Sequence, residues 1–129
     1  MKSFYHLIFT LPILTIFYAA LPAQGASGGS PSRSPKPSAG RASWYDQGRT
    51  TASGERFRPL AHTAAHRTLP FGTRLRVVNA ATGASTIVRI NDRGPAIWTG
   101  RILDLSKGAA AAIGIVRQGS QIVQLERLN

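Results

Sequence analysis

Two runs, TRLRVVN and STIVRIN, alternate apolar and polar residues at the two-residue period of a half-buried strand, with a turn at Gly83 between them. This hairpin constrains the chain more than any other feature, because a two-stranded ribbon with one apolar face must be covered by further elements. In the second run Thr86, Val88 and Ile90 share one face, and Ile87 and Arg89 share the other. Asp92 follows in phase with Val88 and Ile90, where the chain turns into Gly94 and Pro95.

The rest of the chain offers mostly strands to do the covering. RASWY and RILDLS read as short strands, and SQIVQLERL closes the chain as another. SKGAAAAIG reads as the one clear helix, capped by Ser106 and stopped by Gly114. LAHTAAHRTLPFG fits a short helix or a short extended piece equally well, and Pro70 ends it either way. DQGRTTASGERFRP is a polar loop punctuated by Gly48 and Gly54. Short strands, one small helix and no strand–helix alternation predict a mostly β fold, a small barrel.

The first part of the chain stands outside that pattern. Residues 1–25 carry a lysine near the start, an apolar run from Leu7 to Ala20 interrupted by Pro12, and then small residues. This is the layout of a secretory signal peptide, with cleavage near Gly25, and too short an apolar run for a spanning helix. Residues 26–40 are nearly all Gly, Ser, Ala and Pro, which predicts a flexible tether, with the folded domain occupying 41–129.

There are no cysteines. That excludes disulfide staples, a thiolate nucleophile and a lipid-modified cysteine, so the exported domain must hold itself together by its core. The expected location is periplasmic or secreted, without a lipid anchor. The formal net charge is +11, with 13 arginines and 3 lysines. In an exported protein such a charge favours an anionic envelope polymer as partner over nucleic acid.

Chemistry has few carriers. His62 and His66 would share a face if helical, but no further ligand completes a metal set, and no metal or other cofactor is expected. No G-x-S-x-G turn or Gly-rich phosphate cradle is present. The carboxylates are Asp46, Glu55, Asp92, Asp104 and Glu126. Glu126 lies among polar neighbours, Asp46 follows a strand, and Asp104 has Arg101 as a ready ion-pair partner. Glu55 and Asp92 sit in or beside glycine-bounded loops, with Phe57 near one and Trp98 near the other. A carboxyl partly desolvated at a barrel mouth can serve as general acid. An aspartate at Asp92's position can also simply cap a turn by bonding the backbone at Gly94, and spacing leaves both open.

The blocks ASWYDQGRTTASGERF, AHTAAHRTLPFGTRLRVVN, VRINDRGP and GRILDLSKGAAAAIG, in order from Ala42 onward, resemble the rare lipoprotein A family of septal-ring-type endolytic peptidoglycan transglycosylases. The resemblance implies a six-stranded double-psi β-barrel with one short helix. It implies lytic cleavage of peptidoglycan between N-acetylmuramic acid and N-acetylglucosamine, on strands poor in stem peptides, with a 1,6-anhydro product. Asp92 matches the family's catalytic aspartate in NDRGP, Glu55 the glutamate of TASGE, and His66 the histidine of AAHRTLP. Around them Ser43 and Arg93 are candidate donors to substrate, and Tyr45 and Trp98 candidate faces for sugar rings.

Three features depart from the family pattern. Arg58 stands where an aspartate often follows the glutamate, and there it is expected to favour the ionised form of Glu55. The lipobox cysteine is missing, and no peptidoglycan-binding module is expected after the barrel. A non-catalytic, expansin-like polysaccharide-binding module is the alternative reading of such a barrel.

Overall fold

A computed structural model describes residues 37–129. The expected signal peptide, residues 1–25, and residues 26–36 of the expected tether lie outside the described residues. The elements are β1 (Ser38–Tyr45), β2 (Thr63–Ala65), β3 (Arg74–Asn79), β4 (Ser85–Asp92), a 3-10 turn (Ile97–Thr99), β5 (Arg101–Ser106), α1 (Lys107–Ala112) and β6 (Ser120–Arg127). β1 takes in Ser38, Ala39 and Gly40, which composition assigns to the tether, because all three pair with β6.

The strands close into a barrel in the order β1-β5-β2-β4-β3-β6. β1 with β5 and β2 with β4 are parallel, while the other neighbours are antiparallel. This is the six-stranded double-psi barrel with one short helix. The expected hairpin forms between β3 and β4. Leu75 faces Val88 across it, and these two with Val77 and Ile90 fill the barrel interior. The turn is closed by Gly83 N–H donating to Asn79 O at 2.8 Å, with Gly83 at φ +78°.

The ambiguous segment resolves as strand. Thr63, Ala64 and Ala65 are all buried between β4 and β5, where their small side chains let two strands crowd past them. His62 and His66 therefore flank a strand instead of sharing a helical face, and the i, i+4 pairing is lost.

The helix is as its sequence predicts. Ser106 Oγ accepts from Ala109 N–H at 3.3 Å, and Gly114 leaves the last turn at φ +74°. Ala109 and Ala110 bury against the barrel end together with Ile113 and Ile115. Gly108 makes the close approach possible: it donates to Pro59 O at 2.8 Å, and a Cβ there would lie 2.7 Å from the Leu60 carbonyl carbon.

The barrel has one irregularity at the end of β4. The β2–β4 register advances from Ala64↔Ile90 to Ala65↔Asp92, so Asn91 is bulged out of the ladder. A bulge shifts the side-chain alternation by one residue.

Candidate functional site

The bulge decides where the β4 carboxylate goes. Ile90 and Asn91 are both buried, and Asp92 is only half-buried at the end of the strand. The expectation that Asp92 continues the phase of Val88 and Ile90 into the core therefore fails, since the extra residue turns it to the barrel's edge. The turn-cap contact that spacing left open at Gly94 is not the one made either. Asp92 Oδ1 accepts from the backbone N–H groups of Arg93 and Ala52, each at 2.9 Å, and Oδ2 accepts from the Tyr45 hydroxyl at 3.1 Å. Both carboxylate oxygens are thus fixed by donors from three separate stretches of chain.

Tyr45, the last residue of β1, stacks on Phe57 with centroids 4.6 Å apart, so one of its faces is covered. Burial, followed by the negative charge and hydrogen bond of Asp92, pushes the phenol above its ordinary pKa. It stays a neutral hydroxyl able to donate or accept.

The loop carrying Glu55 docks on the same corner. Besides the Ala52 bond, Ser53 N–H donates to Asn91 O at 3.1 Å, and Thr51 N–H to Glu55 O at 2.9 Å. The cation that meets Glu55 is not Arg58 but Arg89. Its guanidinium bonds the carboxylate bidentately at 2.7 and 3.0 Å. Arg89 sits on the outward face of β4 and reaches across to the loop, whereas Arg58 takes no part. The Arg89 hydrogen bonds hold the Glu55 carboxyl below the usual carboxylate range, with smaller help from Asn91 and Ser53.

His66 follows β2, and its backbone N–H donates to Asp92 O at 3.2 Å. Its Nδ1 accepts from Thr68 and Leu69 N–H, each at 3.1 Å, which leaves the neutral ring's proton on Nε2. Burial, then the charges of Arg67 and Arg93, lower its pKa. Arg93 Nη1 donates to His66 O at 3.2 Å and Leu69 O at 2.8 Å, and its guanidinium lies 4.0 Å above the Phe71 ring. Arg93 therefore braces the 66–71 loop. Arg67 Nη1 likewise ties the next loop to β5 through Pro95 O and Arg101 O.

The remaining residues of interest fall into two groups. Ser43 Oγ donates to Asp104 Oδ1 at 3.0 Å, and Arg101 Nε meets that same oxygen at 3.0 Å, so Asp104 has the ion-pair partner its sequence neighbourhood offered. Trp98, in the 3-10 turn after Pro95, is 88% exposed, with its neighbour Ile97 nearly as open.

Beside the Asp92 corner lies a cavity of about 310 Å³ lined by Glu55, Arg56, Arg58, Ala61, Thr63, Arg89 and Asn91. Sequence does not single out Arg89, Asn91 or Thr63. Arg89 reads as one outward residue of an alternating strand, and its pairing with Glu55 emerges only when the fold closes the 34 positions between them.

Residues 37–125 match the family model described as lytic transglycolase. Over 90 residues the chain is 59% identical to a Synechocystis sp. protein named "Probable endolytic peptidoglycan transglycosylase RlpA", covering 67% of this chain and 28% of that one. Over 92 residues it is 49% identical to the Neisseria meningitidis protein named "Endolytic peptidoglycan transglycosylase RlpA", covering 69% of this chain and 38% of that one. The chain thus spans well under half the length of these curated relatives.

Among solved structures it is similar to the Streptomyces papain inhibitor, with a TM-score of 0.62 and 17% identity over 75% of this chain and 98% of that one. It is also similar to an expansin of Clavibacter michiganensis, with a TM-score of 0.58 and 23% identity over 72% of this chain and 50% of that one. At these identities the likeness concerns the barrel.

Proposed function

The chain belongs to the lytic transglycolase family, and from that membership we propose that its barrel is an endolytic transglycosylase acting on peptidoglycan glycan strands. The bond cleaved is the one between N-acetylmuramic acid and N-acetylglucosamine, on strands poor in stem peptides. The observation that supports this most is the Asp92 carboxylate, positioned at a barrel edge through both oxygens.

In its acid form Asp92 gives a proton to the glycosidic oxygen as the bond from that oxygen to the anomeric carbon breaks and positive charge develops on the sugar. The muramyl 6-hydroxyl then adds to the anomeric carbon and returns its proton to Asp92. The 1,6-anhydro ring closes, no water is consumed, and the acid is regenerated. One carboxyl acting twice suits a corner whose other carboxylate, Glu55, is held ionised by Arg89.

Glu55 then serves as an acceptor that orients sugar hydroxyls, and His66 Nε2–H as a donor to them. Trp98 offers an open ring for stacking on a sugar face. Tyr45 holds Asp92 instead of presenting a ring face, Ser43 supports Asp104, and Arg93 supports the loop beneath His66. Export to the periplasm or beyond, read from the layout of residues 1–25, brings the barrel to this polymer.

The test is a digest of purified sacculi read by mass spectrometry. Release of fragments with 1,6-anhydromuramyl ends is the expected result. Protein that pellets with sacculi and yields no such ends would instead make the barrel a polysaccharide-binding module.

A further inference from the structure

The cavity beside Asp92 has a composition that the cleavage step does not use. Phe57 is buried against Tyr45, and the extended segment around it turns its neighbours Arg56 and Arg58 outward, where both are exposed. The segment is held in place by the Thr50↔Arg56 bridge and by Phe57 N–H donating to Arg49 O at 2.9 Å. Neither the Arg56 nor the Arg58 guanidinium has a hydrogen-bond or ion-pair partner among the described residues, yet both line the cavity. Arg89 in the same wall is neutralised by Glu55. Two guanidiniums are therefore left to set the charge of the space.

Thr63 and Asn91, at 5% and 2% exposure, complete the lining with uncharged side chains, so nothing else in the wall competes with the two arginines. A ligand that carries a carboxylate fits such a wall, because arginine's fork pairs a carboxylate bidentately.

We propose that this cavity is a carboxylate subsite, in which Arg56 and Arg58 pair an acid group carried by the glycan next to the scissile bond, making them specificity-determining residues of the cleavage reaction. This rests on the function proposed above and gives Arg58, the departure from the family pattern, a role of its own. The acid has two possible sources on this polymer, the lactyl group of a peptide-free muramyl unit and the stem peptide of a substituted one.

Binding separates this from catalysis, because it is measured without turnover. Titration calorimetry on the full-length protein would compare three probes: the GlcNAc–MurNAc disaccharide with its free lactyl acid, the same disaccharide capped as the lactyl methylamide, and the disaccharide bearing a stem tetrapeptide. The free acid should bind at least about tenfold more tightly than the methylamide, in keeping with a charge-assisted bidentate contact. Arg58→Gln and Arg56→Gln should each erode that ratio, and Arg58→Asp should abolish or reverse it, with thermal melts confirming that each variant is folded.

If the tetrapeptide form shows the arginine-dependent gain in place of the lactyl acid, the subsite reads the stem peptide. Equal or undetectable binding of all three probes, or a free-acid preference untouched by both glutamine variants, overturns the proposal. Failure of the sacculus digest with the binding preference intact would leave the subsite standing and remove only the cleavage.

Discussion

Asp92→Asn separates structure from chemistry at a single residue. The asparagine oxygen still accepts from Ala52 and Arg93, and its amide still meets Tyr45 by donating to the phenol oxygen, so the melting temperature should hardly move. The transferable proton is gone, and anhydromuramyl product should fall about 10²- to 10⁴-fold. A folded variant that releases product at the parent rate would take the acid–base role from Asp92. Glu55 lends itself to a pH test. Its pKa is lowered on folding from 4.5, chiefly by Arg89, so the pair adds stability above the unfolded value and loses it as pH falls through the folded one. The side chains of Arg89 and Glu55 are 46% and 38% exposed, which limits the contribution to about 1 kcal/mol or less. Glu55→Gln should therefore melt slightly lower than the parent at neutral pH and level with it in strong acid. A gap that persists in acid would mean the glutamine disturbs the loop by some route other than lost charge.

Among the elements, the helix and the β4 bulge carry the most consequence. Gly108→Ala would gain about 1 kcal/mol of intrinsic helix propensity on an open surface. Here the added methyl meets the Leu60 carbonyl carbon at 2.7 Å, and backbone cannot rotate away as a side chain does. The net effect should be a loss of about 1 to 3 kcal/mol, or roughly 4 to 8 °C in Tm for each kcal/mol, measured by thermal denaturation. An unchanged melt would show that the Pro59–Leu60 segment yields freely. The same segment closes the loop that carries Arg56 and Arg58, two residues of the cavity wall. The bulge at Asn91 acts in the other direction, turning a side chain that strand periodicity would bury out to the edge.

For the whole molecule, charge sets how it meets its polymer. The net charge of +11, only one unit of which (Lys2) lies in residues 1–25, draws the protein to an anionic surface, and exposed charges are screened over about 8 Å at physiological ionic strength. Pelleting with sacculi should weaken steeply as salt is raised, while product chemistry at saturating substrate changes little. Salt-independent pelleting would mean that stacking and hydrogen bonds, Trp98 first among them, hold the protein to the strand. Closure of the barrel leaves no free sheet edge, so its contacts with the strand come from side chains and loops.

The elements that sequence alone determined are those whose cause is local. Alternation at a two-residue period made the β3–β4 hairpin, with Gly83 at its turn, and Ser106 and Gly114 bounded the one helix. The NDRGP and TASGE blocks named Asp92 and Glu55, and the fold brings both to one corner. What each carboxylate touches was decided only by tertiary structure. Tyr45 meets Asp92 across 47 positions, Arg89 meets Glu55 across 34, and the bulge that sets the phase of Asp92 exists only against β2. A side chain's partner in a barrel depends on which strands neighbour each other and in what register. Those are properties of the closed sheet, and no short window of sequence contains them.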